Sequence, residues 1–277
     1  MPDHLSTFLH RLALEPAVLV SIEQTRGSVP REEGTWMAVF AQGQVGTIGG
    51  GQLEWMALQR SRAALARGTA VAWEHSIALG PSLGQCCGGR LLLRHEPVSA
   101  AETPALSQRL TPCLTPVALF GGGHVGHALV RALEPLPFAL TWIDSRDQIF
   151  PSDLAPQVRA EHSHPVHAAV ADLPPGAHVL IMSFSHAEDL DIVVACLQRQ
   201  RDRADLPFIG LIGSRSKWAS FRHQLAARGF SPAELDQVTC PIGLPGITGK
   251  APEVIAASVV AQLLLMASEV ITAPPGG

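Results

Sequence analysis

Hydrophobic positions recur along this chain with two periods, and their alternation predicts an α/β protein. In residues 4–14, Leu5, Phe8, Leu9 and Leu12 repeat at helical spacing. Ala17–Ile22 and Trp36–Phe40 are short apolar runs between polar or glycine-rich segments, as strands are; Ala41–Gln44 suits a hairpin turn and Val45–Ile48 its return strand. Gly49–Gly51 then opens a helix to about Arg67, with Leu53, Met56, Ala57 and Leu65 facing inward, and Val71–Ile77 and Leu91–Arg94 read as further strands. From Glu96 to Pro116 the pattern lapses: four prolines and no period predict an interdomain linker.

The second half has a different rhythm. Val117–Phe120, Phe138–Ile143, His178–Met182 and Pro207–Ile212 are continuous apolar runs, the signature of parallel strands buried on both faces. Helical segments follow three of them: Val125, Leu129 and Leu133; Leu190, Val193, Val194 and Leu197; and Trp218, Phe221 and Leu225. Residues 151–175 read as loop with a short edge strand around His162, His164 and His167. A long glycine and proline loop, Thr239–Glu253, leads to a last helix, Val254–Ala267, apolar on most sides. That helix is a core element or an oligomer interface, so a homodimer is expected, and the tail after Ile271 is expected to be disordered. The predicted organisation is a smaller N-terminal α+β domain (1–96), a linker (97–115) and a C-terminal Rossmann-like domain with a parallel sheet (116–277).

The junction after Phe120 carries candidate chemistry. Gly121, Gly123 and Gly126 fit G-x-G-x-x-G: the first glycine permits the tight turn, the second lets a phosphate approach the backbone, and the third lets the helix pack against the strand. The helix start offers unpaired N–H groups and a positive dipole end to an anion. Asp144 ends the next strand, 18 residues beyond Gly126, close to the ~20 expected of an acid that binds a ribose. The fingerprint does not select among phosphorylated ligands, and an NAD(P)-dependent oxidoreductase is the alternative that uses these same residues.

Composition narrows the classes. The 277 residues are 47 % hydrophobic and 16 % charged with a formal net charge of −4, which gives no basic surface for nucleic acid. No apolar run approaches the ~20 residues needed to cross a membrane. The first residues lack a basic, then apolar, secretory leader, and five cysteines without framework spacing fit a reducing compartment, so a cytoplasmic protein is expected. Lysine occurs only at Lys217 and Lys250.

Other positions hold chemistry with alternatives open. Gly49–Gly51, with Glu54 in the following turn, is either a backbone anion site or close packing. Cys86 and Cys87 are adjacent and ringed by glycines. They lack zinc spacing and suit no ordinary disulfide, which leaves reactive thiols or small inert ones. Arg146 suits a phosphate beside a ribose or pterin, or a solvated turn. His186 follows a parallel strand, where it can act as acid, base or donor, or simply lie in a capping loop. Gly213, Ser214, Arg215, Ser216 and Lys217 at a helix start form a candidate anion cradle. No Ser/His/Asp triad, paired carboxylates or metalloprotease motif supports a hydrolase.

Five stretches together resemble the xanthine dehydrogenase accessory protein family, XdhC. They are Arg26-Gly-Ser-x-Pro-Arg31; Gly46-Thr-Ile-Gly-Gly-Gly-x-Leu-Glu54; Gly84-Gln-Cys-Cys-Gly-Gly89; the turn with Gly123-His-Val-Gly126; and Ile209-Gly-Leu-Ile-Gly-Ser-Arg-x-Lys217 with Pro241-Ile-Gly-Leu244. The chain departs from the family's usual run at Ala251 and Val254, where threonine and glutamate are common. The resemblance implies a chaperone rather than an enzyme. Such a protein binds the molybdenum cofactor (molybdopterin) transiently and protects it. It presents the cofactor to a cysteine desulfurase for sulfuration and delivers it to a xanthine dehydrogenase apoenzyme. The implied cofactor-binding set is Gly49, Gly50, Gly51, Glu54, Gln85, Cys86, Cys87, Gly121, Gly123, His124, Gly126, Asp144, Arg146, His186, Ser214, Arg215, Lys217 and Lys250, with Cys86 and Cys87 as candidate molybdenum contacts. A cleft between the two domains is the expected place.

Overall fold

The computed structural model describes residues 4–80 and 88–272, the side chains of 268–272 excepted. The chain forms two compact units, Met1–Thr111 and Pro112–Gly277. Among the described residues no helix is long and apolar enough to cross a membrane.

The first unit is a five-stranded antiparallel sheet with helices on both faces. Its elements are α1 (His4–Leu12), β1 (Ala17–Arg26), β2 (Trp36–Val39), β3 (Gln44–Gly46), α2 (Gly51–Ala66), β4 (Trp73–Ala78), β5 (Arg90–Val98) and α3 (Thr103–Leu110). The strand order is β3-β2-β1-β5-β4. β1 is central, so its run is apolar on both faces. Val18, Val20 and Ile22 pack with Leu53 and Ala57 of α2, while Ala17 and Leu19 pack with Phe8 and Leu12 of α1 and Leu106 of α3. The period of 2 divides the run between two cores.

The expected linker at 97–115 is corrected by the structure. β5 extends to Val98, and a 3-10 turn (Ala100–Glu102) and α3 follow, with Leu106 buried. The prolines hid this, yet Pro104 sits in the first turn of α3, where no backbone donor is needed. The signal was Ser99-x-x-Glu102, which forms a capping box.

The second unit is a six-stranded parallel sheet, β6 (Thr115–Phe120), β7 (Phe138–Asp144), β8 (Val158–His162), β9 (His178–Ile181), β10 (Phe208–Leu211) and β11 (Val238–Thr239). The order β11-β10-β9-β6-β7-β8 is that of a Rossmann sheet, reversing between β6 and β9, where such sheets bind ligands beyond the strand ends. α4 (His124–Leu133) and α8 (Pro252–Thr272) pack on one face with Val117, Leu119, Leu140 and Trp142. α5 (His186–Arg203) and α6 (Arg215–Ala227) pack on the other with Ala118, Phe120, Ile181 and Leu211. The short helix α7 (Pro232–Leu235) and β11, which extend the sheet by one strand, have no apolar period that would announce them. β8 is the edge strand expected around His162.

Candidate functional site

The crevice beyond β6, β7 and β9 is built from its glycine turn. Gly121 has φ +124°, and a Cβ there would fall inside contact distance of the Met182 carbonyl oxygen. Only glycine fits where the chain leaves β6 against β9. A Cβ at Gly126 would collide with the Gly121 carbonyl, and the buried Trp142 Nε1 donates to that same oxygen at 3.0 Å. A Cβ at Gly122 would lie 2.5 Å from Ile149 Cγ1 and 3.1 Å from Asp144 Oδ2. Gly123 differs: nothing lies within 4 Å of a Cβ placed there. It is the N-cap residue of α4 and provides no side-chain cap, so the first-turn N–H groups of His124, Val125 and Gly126 have no side-chain acceptor among the described residues. α5, α6 and α7 are instead capped by Ser185, Ser214 and Ser231. The open backbone, uncapped donors and helix dipole suit a phosphate.

Asp144 ends β7 with a fully engaged carboxylate. Oδ2 accepts from the Gly122 N–H at 2.6 Å and from Arg146 Nη2 at 2.8 Å; Oδ1 accepts from the Arg146 backbone N–H and Nε, both at 2.9 Å. A carboxylate offers about four acceptor positions, and all are used. Burial by itself raises the Asp144 pKa, but the Arg146 side chain and the two backbone donors outweigh it and hold the group below the usual aspartate value. The Arg146 guanidinium also lies 4.7 Å from the ring centroid of Phe184, a phenylalanine 68 % exposed in the loop after β9.

Glu188 completes this side. One oxygen accepts from Ser145 Oγ at 2.6 Å, while the other, Oε2, is buried without a partner among the described residues. A buried acceptor without a donor is costly, and here it stands at the switch point of the sheet. Neither Glu188 nor Phe184 was identifiable as a site residue from the sequence. Glu188 reads as an ordinary first-turn helix acid, and Phe184 as one more apolar residue after a strand.

Several sequence candidates prove to be engaged internally. Lys217 Nζ donates to Asp189 Oδ2 at 2.6 Å and to the Ile212 carbonyl at 2.9 Å, with side chains 12 % and 3 % exposed. Asp189 Oδ1 also accepts from Ser183 N and Oγ, each at 2.8 Å. Lys217 therefore ties the end of β10 to the loop after β9. Ser214 caps α6 and shares a hydrogen bond with Ser216. His186 is exposed at the start of α5, edge-on to Phe221. Arg215 and Lys250 are exposed, with no ion pair among the described residues.

In the first unit, the Gly49–Gly51 junction already holds an anion. Glu54 Oε2 accepts from the Ile48 and Gly50 N–H groups, both at 3.1 Å, and from Thr47 Oγ1; Oε1 accepts from Gln44 at 2.8 Å. Burial raises the Glu54 pKa, but these bonds win and leave it lowered. The loop Arg26–Arg31 packs here too: a Cβ at Gly49 would lie 3.1 Å from Pro30, and one at Gly27 would lie 3.3 Å from Gly89. Two of the motif stretches, and Gly89 at the end of a third, thus meet within this unit. Gln85, Cys86 and Cys87 lie outside the described residues.

Two family profiles and one full-length structural match agree with this architecture. A family profile described as the XdhC Rossmann domain matches residues 117–263, and one described as the XdhC and CoxI family matches residues 11–74. The uncharacterized protein YqeB of Escherichia coli K12 is 28 % identical over 95 % of this chain, which spans 45 % of that relative's length. A crystal structure described as a xanthine dehydrogenase from Bacillus halodurans superposes with a TM-score of 0.78 at 19 % identity, covering 98 % of both chains. A Rossmann-fold NAD(P)-binding family protein from Shigella flexneri aligns over 56 % of this chain and 89 % of its own, with a TM-score of 0.37 and 13 % identity. With its parallel-sheet unit matched over more than half of the sequence and its antiparallel unit matched in part, the chain belongs to the XdhC family.

Proposed function

We propose that this protein binds the molybdenum cofactor, a phosphorylated pterin dithiolene, as a maturation factor for xanthine dehydrogenase. It protects the cofactor, presents it to a cysteine desulfurase and delivers it to the apoenzyme. Family membership supports the maturation role. The observation that carries the ligand class is the saturation of Asp144, whose acceptor positions are filled by Gly122 and Arg146. A ribose diol would have to displace Arg146 to reach that carboxylate, whereas a phosphate needs only the uncapped start of α4.

The residues present fit the group. The N–H groups of His124, Val125 and Gly126 would hold the phosphate, with Arg146 nearby as cation. The orphaned Glu188 Oε2 is an acceptor suited to the N–H donors of a pterin. The reading gives Cys86 and Cys87 the role of soft ligands to molybdenum. When bound, the cofactor supplies the metal and sulfur chemistry; the chain contributes binding, orientation and shielding. The fingerprint also suits a nucleotide pyrophosphate, which makes NADPH the competing ligand.

The test is ultrafiltration binding of purified molybdenum cofactor, with NADH and NADPH as competitors. Molybdenum retained at about one per chain and undisturbed by either nucleotide is the expected result. Gly123→Asp places a carboxylate where a Cβ meets open space, capping α4 with the protein's own anion, and is expected to abolish retention while leaving the fold intact. No retained molybdenum, with saturable NADPH binding, would refute the reading and favour the oxidoreductase.

A further inference from the structure

A cavity of about 520 Å³ lies between the end of β10, the Pro241–Gly249 loop and the first turns of α8. It does not include the glycine turn. Ile212, Ile242, Ile247, Val254 and Ile255 give it aliphatic side chains, and Thr248, Ser258 and the glycine-rich backbone of the loop give it polar surface. Among the described residues Arg215 is the one charged residue that lines it, no acid lines it, and Arg215 has no ion pair.

The loop is anchored rather than draped. Leu244 N donates to Ser258 Oγ and Gly243 N to Gln262 Oε1, both at 2.8 Å. Gly243 has φ +98°, and a Cβ there would lie 2.5 Å from Ser258 Oγ. Ile242 seats against β10 at Gly210, where a Cβ would lie 2.6 Å from its Cγ2. These anchors fix the shape of an open groove whose loop side is largely exposed, and its volume lies in the range of about 300–1,000 Å³ typical of ligand sites.

We propose that this cavity is a second ligand site that takes a small organic anion: one carboxylate or phosphate on an apolar, ring-sized body, with the charge against Arg215. The site is distinct from the crevice at α4 and goes beyond the cofactor reading. The aliphatic side chains favour a ligand with an apolar body over a bare ion, and a guanidinium without an ion pair among the described residues favours an anion over a neutral or cationic ligand.

The experiment uses the full chain with ¹³C-labelled isoleucine methyls, titrated with phenyl phosphate, benzoate, inorganic phosphate and benzyl alcohol. Saturable shifts at Ile212, Ile242, Ile247 and Ile255 with phenyl phosphate or benzoate are expected. The tighter of the two identifies the anion, and inorganic phosphate and benzyl alcohol, each with half the features, should bind at least about tenfold more weakly. Arg215→Gln should weaken binding about tenfold or more, and Ile247→Trp, at a position 47 % exposed, should block it without lowering the melting temperature. Gly123→Asp should leave it unchanged, which separates this site from the cofactor crevice. The proposal is overturned by no saturable shift with either aromatic anion, by shifts centred on other methyls, by indifference to Arg215→Gln, or by loss in Gly123→Asp.

Discussion

Lys217→Met tests whether the lysine picked out by the sequence is a ligand group or a structural tie. The substitution removes the ammonium 2.6 Å from Asp189 Oδ2 and its bond to the Ile212 carbonyl. Both partners are nearly closed to water, at 12 % and 3 % side-chain exposure, so solvent does little to rescue the carboxylate left behind. Breaking a buried pair from one side costs about 3–5 kcal/mol. Asp189 keeps two hydrogen bonds from Ser183, which places the expectation near the low end, about 3 kcal/mol. That corresponds to a roughly hundredfold rise in the opening equilibrium. Hydrogen exchange read by mass spectrometry on peptides from β9, β10 and α6 should accelerate by that factor, while peptides from β1 and β5 should not. Adding Asp189→Asn should recover part of the loss, because the unpaired charge is gone. Exchange within about threefold of wild type would refute the internal pairing.

Three further outcomes follow from the same geometry. Gly121→Ala should destabilise the parallel-sheet unit by more than about 3 kcal/mol, because its Cβ meets backbone at a positive φ, whereas Gly123→Ala should cost under about 1 kcal/mol; thermal melts of both variants check this. His95 is fully buried, stacked on Trp73, and its pKa is pushed down to about 4 by burial and by the nearby His75 and Arg60. The unfolded chain therefore takes up the proton first. The stability of the antiparallel unit should be complete above about pH 6.5 and fall by about 3 kcal/mol as pH drops to about 4, a slope that urea titrations should find flattened in His95→Gln. Burial pushes the Cys196 thiol up to about 12 and the Cys240 thiol up to about 11, so iodoacetamide at mildly alkaline pH should label the exposed Cys113 before either; early labelling of Cys196 would contradict its burial.

What the sequence determined by itself is set by local and periodic physics. Apolar runs of four to six residues followed by 3.6-period segments require a buried parallel sheet covered by helices, and three glycines at fixed spacing require a tight turn that a helix can approach. β6, α4, β7, β9, α5, β10 and α6 were legible for that reason, as were the two-faced β1 and the helix opened at Gly49–Gly51. The motif stretches that mark the family are also linear features. What the tertiary structure alone decided is the pairing of charges. Sequence gives Asp144, Arg146, Lys217 and Glu54 as charged groups near glycines, but whether each faces a ligand or a neighbour depends on contacts across the fold. Asp144 is closed by Arg146 and the Gly122 N–H, Lys217 by an acid 28 positions earlier in the chain, and the first-unit nest by its own Glu54. The same holds for Glu188, one oxygen of which meets Ser145 while the other is buried without a donor among the described residues, and for α3, hidden behind prolines that a first helical turn tolerates. Hydrophobic periodicity is written in neighbours along the chain, so it can be read directly; hydrogen-bond satisfaction is settled between residues distant in sequence, and only the folded backbone brings them together.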